Sequence, residues 1–214
     1  MAGDGMTRAR LYPLVLAILA ACGVARGEVG GGDAKASAKK LPYTTVANMT
    51  GKRLPAFDVE SGDGKPLASK DLAGRLAIIT YETRYVIEKN RAAKAALGRV
   101  LKKRFAADSW RVVAIVDTSS ANFFTRGVWR RKLVENSKKE RIAIYGDWDG
   151  KTAKALGVKR DESNLLIVDA AGVIRYFAYG RFDAKEMARQ KTLLESLARR
   201  GKRRAQPAPA ETTR

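Results

Sequence analysis

The sequence predicts an α/β domain in which helices cover both faces of a central sheet. Apolar runs of strand length alternate along the chain with longer segments of helical periodicity, which is typical of strands joined by helices. The strand candidates are apolar at nearly every position, as in strands that are buried on both faces. With 214 residues and 45% hydrophobic content, the chain is long enough for one domain with a substantial core.

The first half of the domain is predicted to contain a hairpin, two strands and a helix. Residues 55–69 (PAFDVESGDGKPLAS) indicate a strand, a Gly-rich turn and a return strand. Residues 75–81 and 110–117 are apolar strands of the buried type. Between them, residues 85–105 favour a helix because apolar residues recur at helical spacing. These residues are Val86, Ala93, Leu97, Val100 and Leu101.

The second half continues the alternation. Residues 121–139 predict a helix, residues 141–145 a strand, and residues 146–158 a turn with a short helix. Residues 164–180 predict a β-hairpin that turns at Gly172.

The last helix has the clearest boundaries. Asp183 and Glu186 form a capping pattern, because a carboxylate can accept the free N–H groups of a first helical turn. Gly201 is predicted to end the helix. The apolar residues that share one helix face are Met187, Leu194 and Leu197.

The N-terminus reads as an export signal. Arg8 and Arg10 precede an apolar stretch, residues 11–21, that is too short to span a bilayer. The stretch ends in Leu-Ala-Ala-Cys and resembles the bacterial lipobox, which implies lipidation of Cys22. The prediction is a periplasmic lipoprotein anchored to the outer membrane. An ordinary signal peptide cut after residues 25–27, or a cytosolic protein with a chance apolar start, remains an alternative.

The composition therefore divides the chain into four parts. Residues 1–22 are predicted to be the signal peptide with its lipobox, and residues 23–40 a Gly/Ala/Ser/Lys-rich flexible linker. Residues 41–201 form the predicted domain. Residues 202–214, basic and then Pro/Ala-rich, are predicted to be a disordered tail.

Two counts exclude several mechanisms. Histidine is absent and cysteine occurs once. Ser-His-Asp and Cys-His catalysis, zinc bound by histidine and an intramolecular disulfide are therefore excluded. Asp147, Asp149 and Gly150 resemble the start of a calcium loop, but Val158 stands where the loop requires glutamate, so a turn and helix cap are predicted. The sequence predicts no metal site, no cofactor and no catalytic residue.

Two segments carry a family resemblance. Residues 54–84 resemble the N-terminal hairpin and first core strand of the thioredoxin-like superfamily, in its redoxin and peroxiredoxin branch. Residues 163–180 resemble that branch's final β-hairpin. The resemblance implies a thioredoxin-like three-layer sandwich, with a central mixed sheet, helices on both faces and an N-terminal β-hairpin extension.

The catalytic motif of that superfamily is missing. The Pro-x-x-x-Thr-x-x-Cys positions of peroxiredoxins hold Ile79, Thr83 and Val86, and the Cys-x-x-Cys positions of thioredoxins hold Val86 and Lys89. Residues 163–164, Ser-Asn, replace the cis-proline before the last hairpin. Since valine cannot form a thiolate, neither peroxide reduction nor disulfide exchange can start here.

The chain also resembles the YtfJ-like family of exported, cysteine-poor proteins of Gram-negative bacteria. The shared features are the exported N-terminus, a Lys-Asn pair early in the first helix at residues 89–90, and a final D-x-x-G hairpin. This resemblance implies export and fold, and it implies no activity.

A candidate binding site lies where the first core strand meets the following helix. Glu82, Thr83, Arg84 and Tyr85 occupy this junction, where free N–H groups and the helix dipole favour an anion. Arg84 can add a bidentate contact to a carboxylate or phosphate. The loop at Ser163 and Asn164 completes the predicted site. The resemblance implies that this loop, which replaces the cis-proline, lies next to the same junction.

The same residues have structural alternatives. Thr83 can cap the helix, Arg84 can pair with Glu88 four residues on, and Tyr85 can pack against the domain. Glu82 and Glu88 can also be read as an acid/base pair, although nothing in the sequence fixes their separation.

The net charge indicates anionic partners. The formal net charge is +20 and the pI about 10.3, which attracts anionic lipid head groups, lipopolysaccharide phosphates, acidic proteins and nucleic acid. An export signal and the lack of a DNA-recognition motif argue against nucleic acid. A basic proteome would give the same charge with no specific partner. We expect an envelope protein or an anionic envelope component, besides the membrane reached by the lipid anchor.

Aromatic residues mix with basic ones in the segment NFFTRGVWRRK. On a surface, Phe123, Phe124 and Trp129 could contact a membrane or a partner. Such aromatics more often form the core face of a helix laid on a sheet, and we expect that arrangement here.

Three functional hypotheses follow. The first is an exported, cysteine-less thioredoxin-fold protein that acts as a non-catalytic binding module for an envelope partner or anionic ligand. The alternative is a redoxin or peroxiredoxin-like oxidoreductase with an antioxidant role. The second alternative is a basic nucleic-acid-binding or regulatory protein.

Overall fold

A computed structural model describes residues 44–205 of the chain. The strands are β1 (Thr44–Val46), β2 (Asp58–Ser61), β3 (Pro66–Ala68), β4 (Leu76–Glu82), β5 (Trp110–Asp117), β6 (Ile144–Asp147), β7 (Asn164–Val168) and β8 (Ile174–Gly180). The helices are α1 (Arg91–Arg104), α2 (Phe123–Glu140), α3 (Lys151–Leu156) and α4 (Ala184–Ala205), with a 3-10 turn at Ser69–Leu72. None of the described helices is both long enough and apolar enough to cross a membrane.

All eight strands belong to one mixed sheet in the order β1-β8-β7-β4-β5-β6-β2-β3. Strands β4, β5 and β6 are parallel, and β7 and β8 are antiparallel to their neighbours. The hairpin of β2 and β3 extends the sheet beyond β6. The predicted fold class, a thioredoxin-like mixed sheet with an N-terminal hairpin extension, is confirmed.

Alternate residues of the central strands enter two separate cores. From β4, Ile79 packs with the hairpin and with Leu156 of α3. Ile78 points to the opposite face and packs with Leu97 of α1 and Leu194 of α4. Helix α2 covers the same face as α1 and α4 through a smaller cluster around Leu133. Helices therefore cover both faces, three on one side and the short α3 on the other.

Several element boundaries differ from the predicted ones. Helix α1 begins at Arg91 and not near residue 85, because consecutive turns occupy residues 84–90. Four of the five apolar residues predicted for this helix are buried, whereas Val86 lies outside it and is half-buried. Strand β1 was not predicted.

The last helix begins as predicted and ends later. The Asp183 carboxylate accepts the N–H of Glu186 at 2.8 Å, which confirms the cap. Gly201 does not end the helix, which continues through residues 202–205 at the start of the predicted tail. A glycine inside a helix only lowers the stability of that helix slightly. It ends the helix only where its backbone adopts the left-handed conformation of a C-cap. The predicted signal peptide, Cys22, the whole predicted linker and most of the predicted tail lie outside the described residues.

The expectation that the aromatics of α2 form its core face is wrong for two of the three. Phe123 is 90% exposed and Phe124 87% exposed. Asn122 caps the helix, and residues 122–128 are all exposed, so the first turn does not pack on the sheet. Trp129, one turn later, does pack against the cluster around Leu133.

The β2–β3 turn and α2 approach each other too closely for any side chain at Gly62. A Cβ added there would lie 2.4 Å from the carbonyl oxygen of Arg130 and 2.9 Å from Cβ of Leu133. We expect Gly62→Ala to lower the free energy of unfolding by about 1–3 kcal/mol, measured by denaturant titration.

Gly127→Ala is the matched control. Its Cβ would meet nothing within 4 Å on an exposed helix, so the change should stabilise the protein by about 0.5–1 kcal/mol. Equal stability of the two variants would contradict the close approach.

Candidate functional site

The fold brings the two predicted site segments to one corner of the sheet. Strand β4 ends at Glu82, and antiparallel β7 begins at Asn164, which pairs with Tyr81. This pairing places Ser163 directly beside the end of β4. The juxtaposition follows from strand order, since β4 lies between β5 and β7 in the middle of the sheet.

A buried ion pair occupies this corner. Lys94, from the first turn of α1, donates to both carboxylate oxygens of Glu82 at 2.9 and 2.8 Å and to the carbonyl oxygen of Ile87 at 2.6 Å. The Ser163 hydroxyl donates to the same carboxylate. Burial raises the pKa of Glu82, while the Lys94 ammonium and the Ser163 hydroxyl act in the opposite direction. We call Glu82, Lys94 and Ser163 the corner network.

Two buried asparagines fix the loops around the corner network. The Asn164 side chain donates to three carbonyl oxygens, those of Tyr81, Lys159 and Glu162, at 2.8–3.1 Å and accepts the N–H of Lys159 at 2.8 Å. Asn90 donates to the carbonyl of Gly180 at 2.7 Å and accepts the N–H of Phe182 at 2.8 Å. Both side-chain amides therefore form hydrogen bonds with backbone groups.

The positions that correspond to the superfamily's sulfurs have structural roles. Val86 is half-buried, and its backbone joins the run of turns between Thr83 and Lys89. The Lys89 ammonium forms an ion pair with Glu162, which links this run to the loop before β7. The Thr83 hydroxyl is buried and has no hydrogen-bond partner within residues 44–205.

Arg84 and Tyr85 are the exposed part of the predicted site. Tyr85 is 76% exposed, and the Arg84 guanidinium lies 4.6 Å from the centre of its ring and 5.9 Å from that of Trp129. The predicted pairing of Arg84 with Glu88 is wrong, because Glu88 pairs with Arg91 at 3.0 Å. The packed Tyr85 and the Thr83 helix cap are also wrong, as Tyr85 is exposed and α1 begins eight residues after Thr83.

The contact between Arg84 and Trp129 joins this turn to the exposed start of α2. The residues of this combined surface are Arg84, Tyr85, Phe123, Phe124, Arg126 and Trp129. We call this set the aromatic–arginine surface. Arg126 in turn lies 4.9 Å from the centre of the Trp148 ring. The sequence shows part of this surface, because Phe123, Phe124, Arg126 and Trp129 lie close together in it. Whether these side chains are exposed depends on where α2 meets the sheet, which the sequence pattern does not show.

The sequence's acidic turn is a helix cap, as predicted. Asp147 accepts the N–H groups of Thr152 and Ala153 and the hydroxyl of Tyr81. Asp149 accepts the N–H of Lys151 and pairs with its ammonium. Over the described part of the chain, no group of three or more acidic, histidine or cysteine side chains is placed to hold a metal ion.

The geometry defines a thioredoxin-like protein that lacks the thiols at its strand–helix junction and contains a buried ion pair beside it. The chain belongs to the family described as "Bacterial protein of unknown function (YtfJ_HI0045)", whose model matches residues 42–197. The resemblance to the YtfJ-like family is thereby confirmed. No curated protein matches the chain.

Solved structures of thiol-disulfide proteins share the fold. A protein assigned as thiol:disulfide interchange protein DsbE from Chlorobium tepidum aligns with a TM-score of 0.53 and 16% identity, over 69% of this chain and 97% of its own. A protein assigned as a protein disulfide isomerase from Bacteroides thetaiotaomicron aligns at 0.54 and 14%, over 73% and 94%. A DsbF homologue from Corynebacterium diphtheriae aligns at 0.51 and 13%, over 76% and 99%. At these identities the likeness shows the fold alone.

The corner network should behave as a coupled pair. We expect Lys94→Met to lower the free energy of unfolding by about 3–5 kcal/mol, because it leaves the Glu82 carboxylate buried without its cation. The double variant Glu82→Leu/Lys94→Met should recover most of that loss, as it removes both charges. Denaturant titration of the single and double variants measures this, and additive losses would contradict the coupling.

The loss of unfolding free energy in Lys94→Met should also depend on pH. Without Lys94, burial holds the pKa of Glu82 further above its ordinary value of 4.5. A carboxyl whose folded pKa is raised contributes stability below its unfolded pKa, and that contribution is lost as pH rises through the folded pKa. The deficit of Lys94→Met should therefore be largest at neutral pH and shrink as pH falls towards 4.5. A deficit that does not change with pH would contradict the buried carboxylate.

Proposed function

We propose that the protein is an exported thioredoxin-fold binding module that performs no thiol chemistry and binds its partner through the aromatic–arginine surface. The observation that carries the proposal is the corner network, because a buried ion pair lies beside the strand–helix junction where Val86 and Lys89 replace the superfamily's thiols. Thiol chemistry at that corner has no thiol to start from, and Glu82, Lys94 and Ser163 are bonded to one another, so we assign the binding role to the exposed residues next to them.

The absence of a thiol argues against the redoxin alternative, which the names of the structural neighbours favour. Disulfide exchange requires a thiolate, and the sequence contains only Cys22, far from the domain. In this proposal the N-terminal signal exports the chain to the periplasm, and lipidated Cys22 anchors it to the outer membrane. The domain then acts within reach of the membrane, at the end of its linker.

The aromatic–arginine surface has the composition of a binding hot spot. Exposed tyrosine, phenylalanine and arginine side chains dominate the energetics of protein recognition sites. A guanidinium stacked on an aromatic ring is held in place while its N–H edge stays available for a carboxylate or phosphate. The Arg84 guanidinium lies over the Tyr85 ring and donates one N–H to the Tyr85 hydroxyl, which leaves its other N–H groups for an anion. The surface therefore suits an envelope protein with acidic groups or another anionic envelope component.

Of the six residues predicted for the binding site, the proposal retains Arg84 and Tyr85 as contact residues. Glu82, Ser163 and Asn164 are buried, and their polar groups are already bonded. In this proposal these three residues hold the exposed turn at Arg84 and Tyr85 in position.

Crosslinking in isolated envelopes tests the surface. Wild-type protein should capture a partner that Arg84→Ala and Phe124→Ser capture about tenfold less, because truncating one hot-spot residue costs roughly 1–2 kcal/mol of binding. Arg99→Ala is the control, since it removes an exposed arginine from α1, outside the surface. Equal capture by all four proteins would contradict the assignment of this surface.

Redox assays test the non-catalytic part of the proposal separately. The purified full chain should reduce neither insulin disulfides nor hydrogen peroxide, because its folded domain contains no thiol. Cys22→Ala should behave identically. Turnover by the Cys22→Ala variant would overturn the proposal in favour of an oxidoreductase.

A further inference from the structure

The middle of the sheet is incompletely covered on its helical face. Strand β5 lies between β4 and β6, and on one face its residues Val113 and Ile115 are fully buried. On the opposite face, Trp110, Val112 and Ala114 are only half-buried. The reason is the placement of the helices: α1 packs most extensively on α4, and α2 on β6 and β2, so the two helices cover β5 only in part.

An apolar groove of about 500 Å³ results between α1 and residues 141–143, which follow α2. Its floor includes Ile78, Val112 and Ala114, and its α1 wall includes Ala95 and Gly98. The volume falls within the range of about 300–1,000 Å³ that is usual for small-molecule sites. None of the residues of the aromatic–arginine surface lines this groove, so the two are separate sites.

The side of the groove at Gly98 is not filled by the protein's own side chains. A Cβ added at Gly98 would meet no atom within 4 Å, although glycine inside a helix is less favourable than alanine. The groove is thus wider than a stable fold needs at this position.

The lining is cationic and carries no acidic side chain. Five of the lining residues are cations: Arg91, Lys94, Lys102, Arg111 and Arg141. Lys94 is already paired with Glu82 in the corner network. Arg91 pairs with Glu88 and the Arg111 guanidinium contacts the Tyr145 hydroxyl at 3.2 Å, while Lys102 makes no ion pair with any described residue. The indole N–H of Trp110, also in the lining, has no acceptor within the described chain.

We propose that this groove binds a single-chain anionic amphiphile, with its hydrocarbon chain on the apolar floor and its head group among the cations. Burial of the hydrocarbon chain against the apolar floor supplies most of the affinity. The charge of the lining selects against neutral and cationic amphiphiles. The head group is a carboxylate, as in a fatty acid, or a phosphate, as in a lysophospholipid. This site goes beyond the proposed partner-binding function and does not depend on it.

Calorimetric titration of the full chain tests the proposal with probes kept below their micelle concentrations. Dodecanoate and dodecyl phosphate represent the two head groups, and dodecanol and dodecyltrimethylammonium are the neutral and cationic controls. We expect one saturable equivalent of at least one anionic probe, and the tighter of the two identifies the head group. Binding of the controls with the same affinity, or no saturable binding, would overturn the proposal.

Variants locate the site. Gly98→Leu fills the groove and Lys102→Glu reverses a lining charge, so each should weaken the binding of the anionic probe by about tenfold or more. Gly127→Leu is the matched control, because it adds the same side chain to an exposed glycine of α2. Thermal unfolding checks that each variant is folded.

Two further readouts separate this site from the aromatic–arginine surface. Probe binding should change tryptophan fluorescence in the wild type but not in Trp110→Phe, and Phe124→Ser should bind the probe as the wild type does. Unchanged binding by Gly98→Leu, or loss of binding in Phe124→Ser, would place the amphiphile elsewhere and overturn the proposal.

Discussion

The contact between Glu82 and Lys94 is the interaction on which the rest of the structure depends. It joins the end of the central strand β4 to the first turn of α1, and Ser163 connects both to the start of β7. An ammonium has three donors, and all three bonds of Lys94 are made, to the two carboxylate oxygens and to the carbonyl of Ile87. A buried ion pair is tolerated only when it is satisfied in this way.

These bonds leave few free polar groups at the corner. The carboxylate, the ammonium and the amide of Asn164 are bonded and buried, and the Thr83 hydroxyl is buried without a partner among the described residues. Activity in a fold of this kind usually resides at the strand ends. Here the strand ends provide rigidity, and the exposed turn at Arg84 and Tyr85 is held in place by the network beneath it.

The sequence predicts what depends on local pattern and misses what depends on contacts between distant segments. Strands, the Asp183 cap and the acidic turn at Asp147 followed from neighbouring residues. The missing thiols at Val86 and Lys89 were also visible. The role of Lys94 was not, because one of 42 cationic residues becomes buried only through the register of α1 against β4. The exposure of Phe123 likewise follows from where α2 meets the sheet, which its own composition does not fix.

The net charge and the two sites contribute differently to recognition. A formal charge of +20 attracts every polyanion, and salt screens such attraction over roughly 10 Å at 0.1 M, so charge alone raises encounter rates without choosing a partner. Selectivity requires short-range contacts that water cannot replace. In the two proposed sites, the aromatic–arginine surface would supply them by stacking, and the groove above β5 by apolar burial beside cations. Binding at either site should therefore retain an apolar component at high salt, where the long-range field is screened.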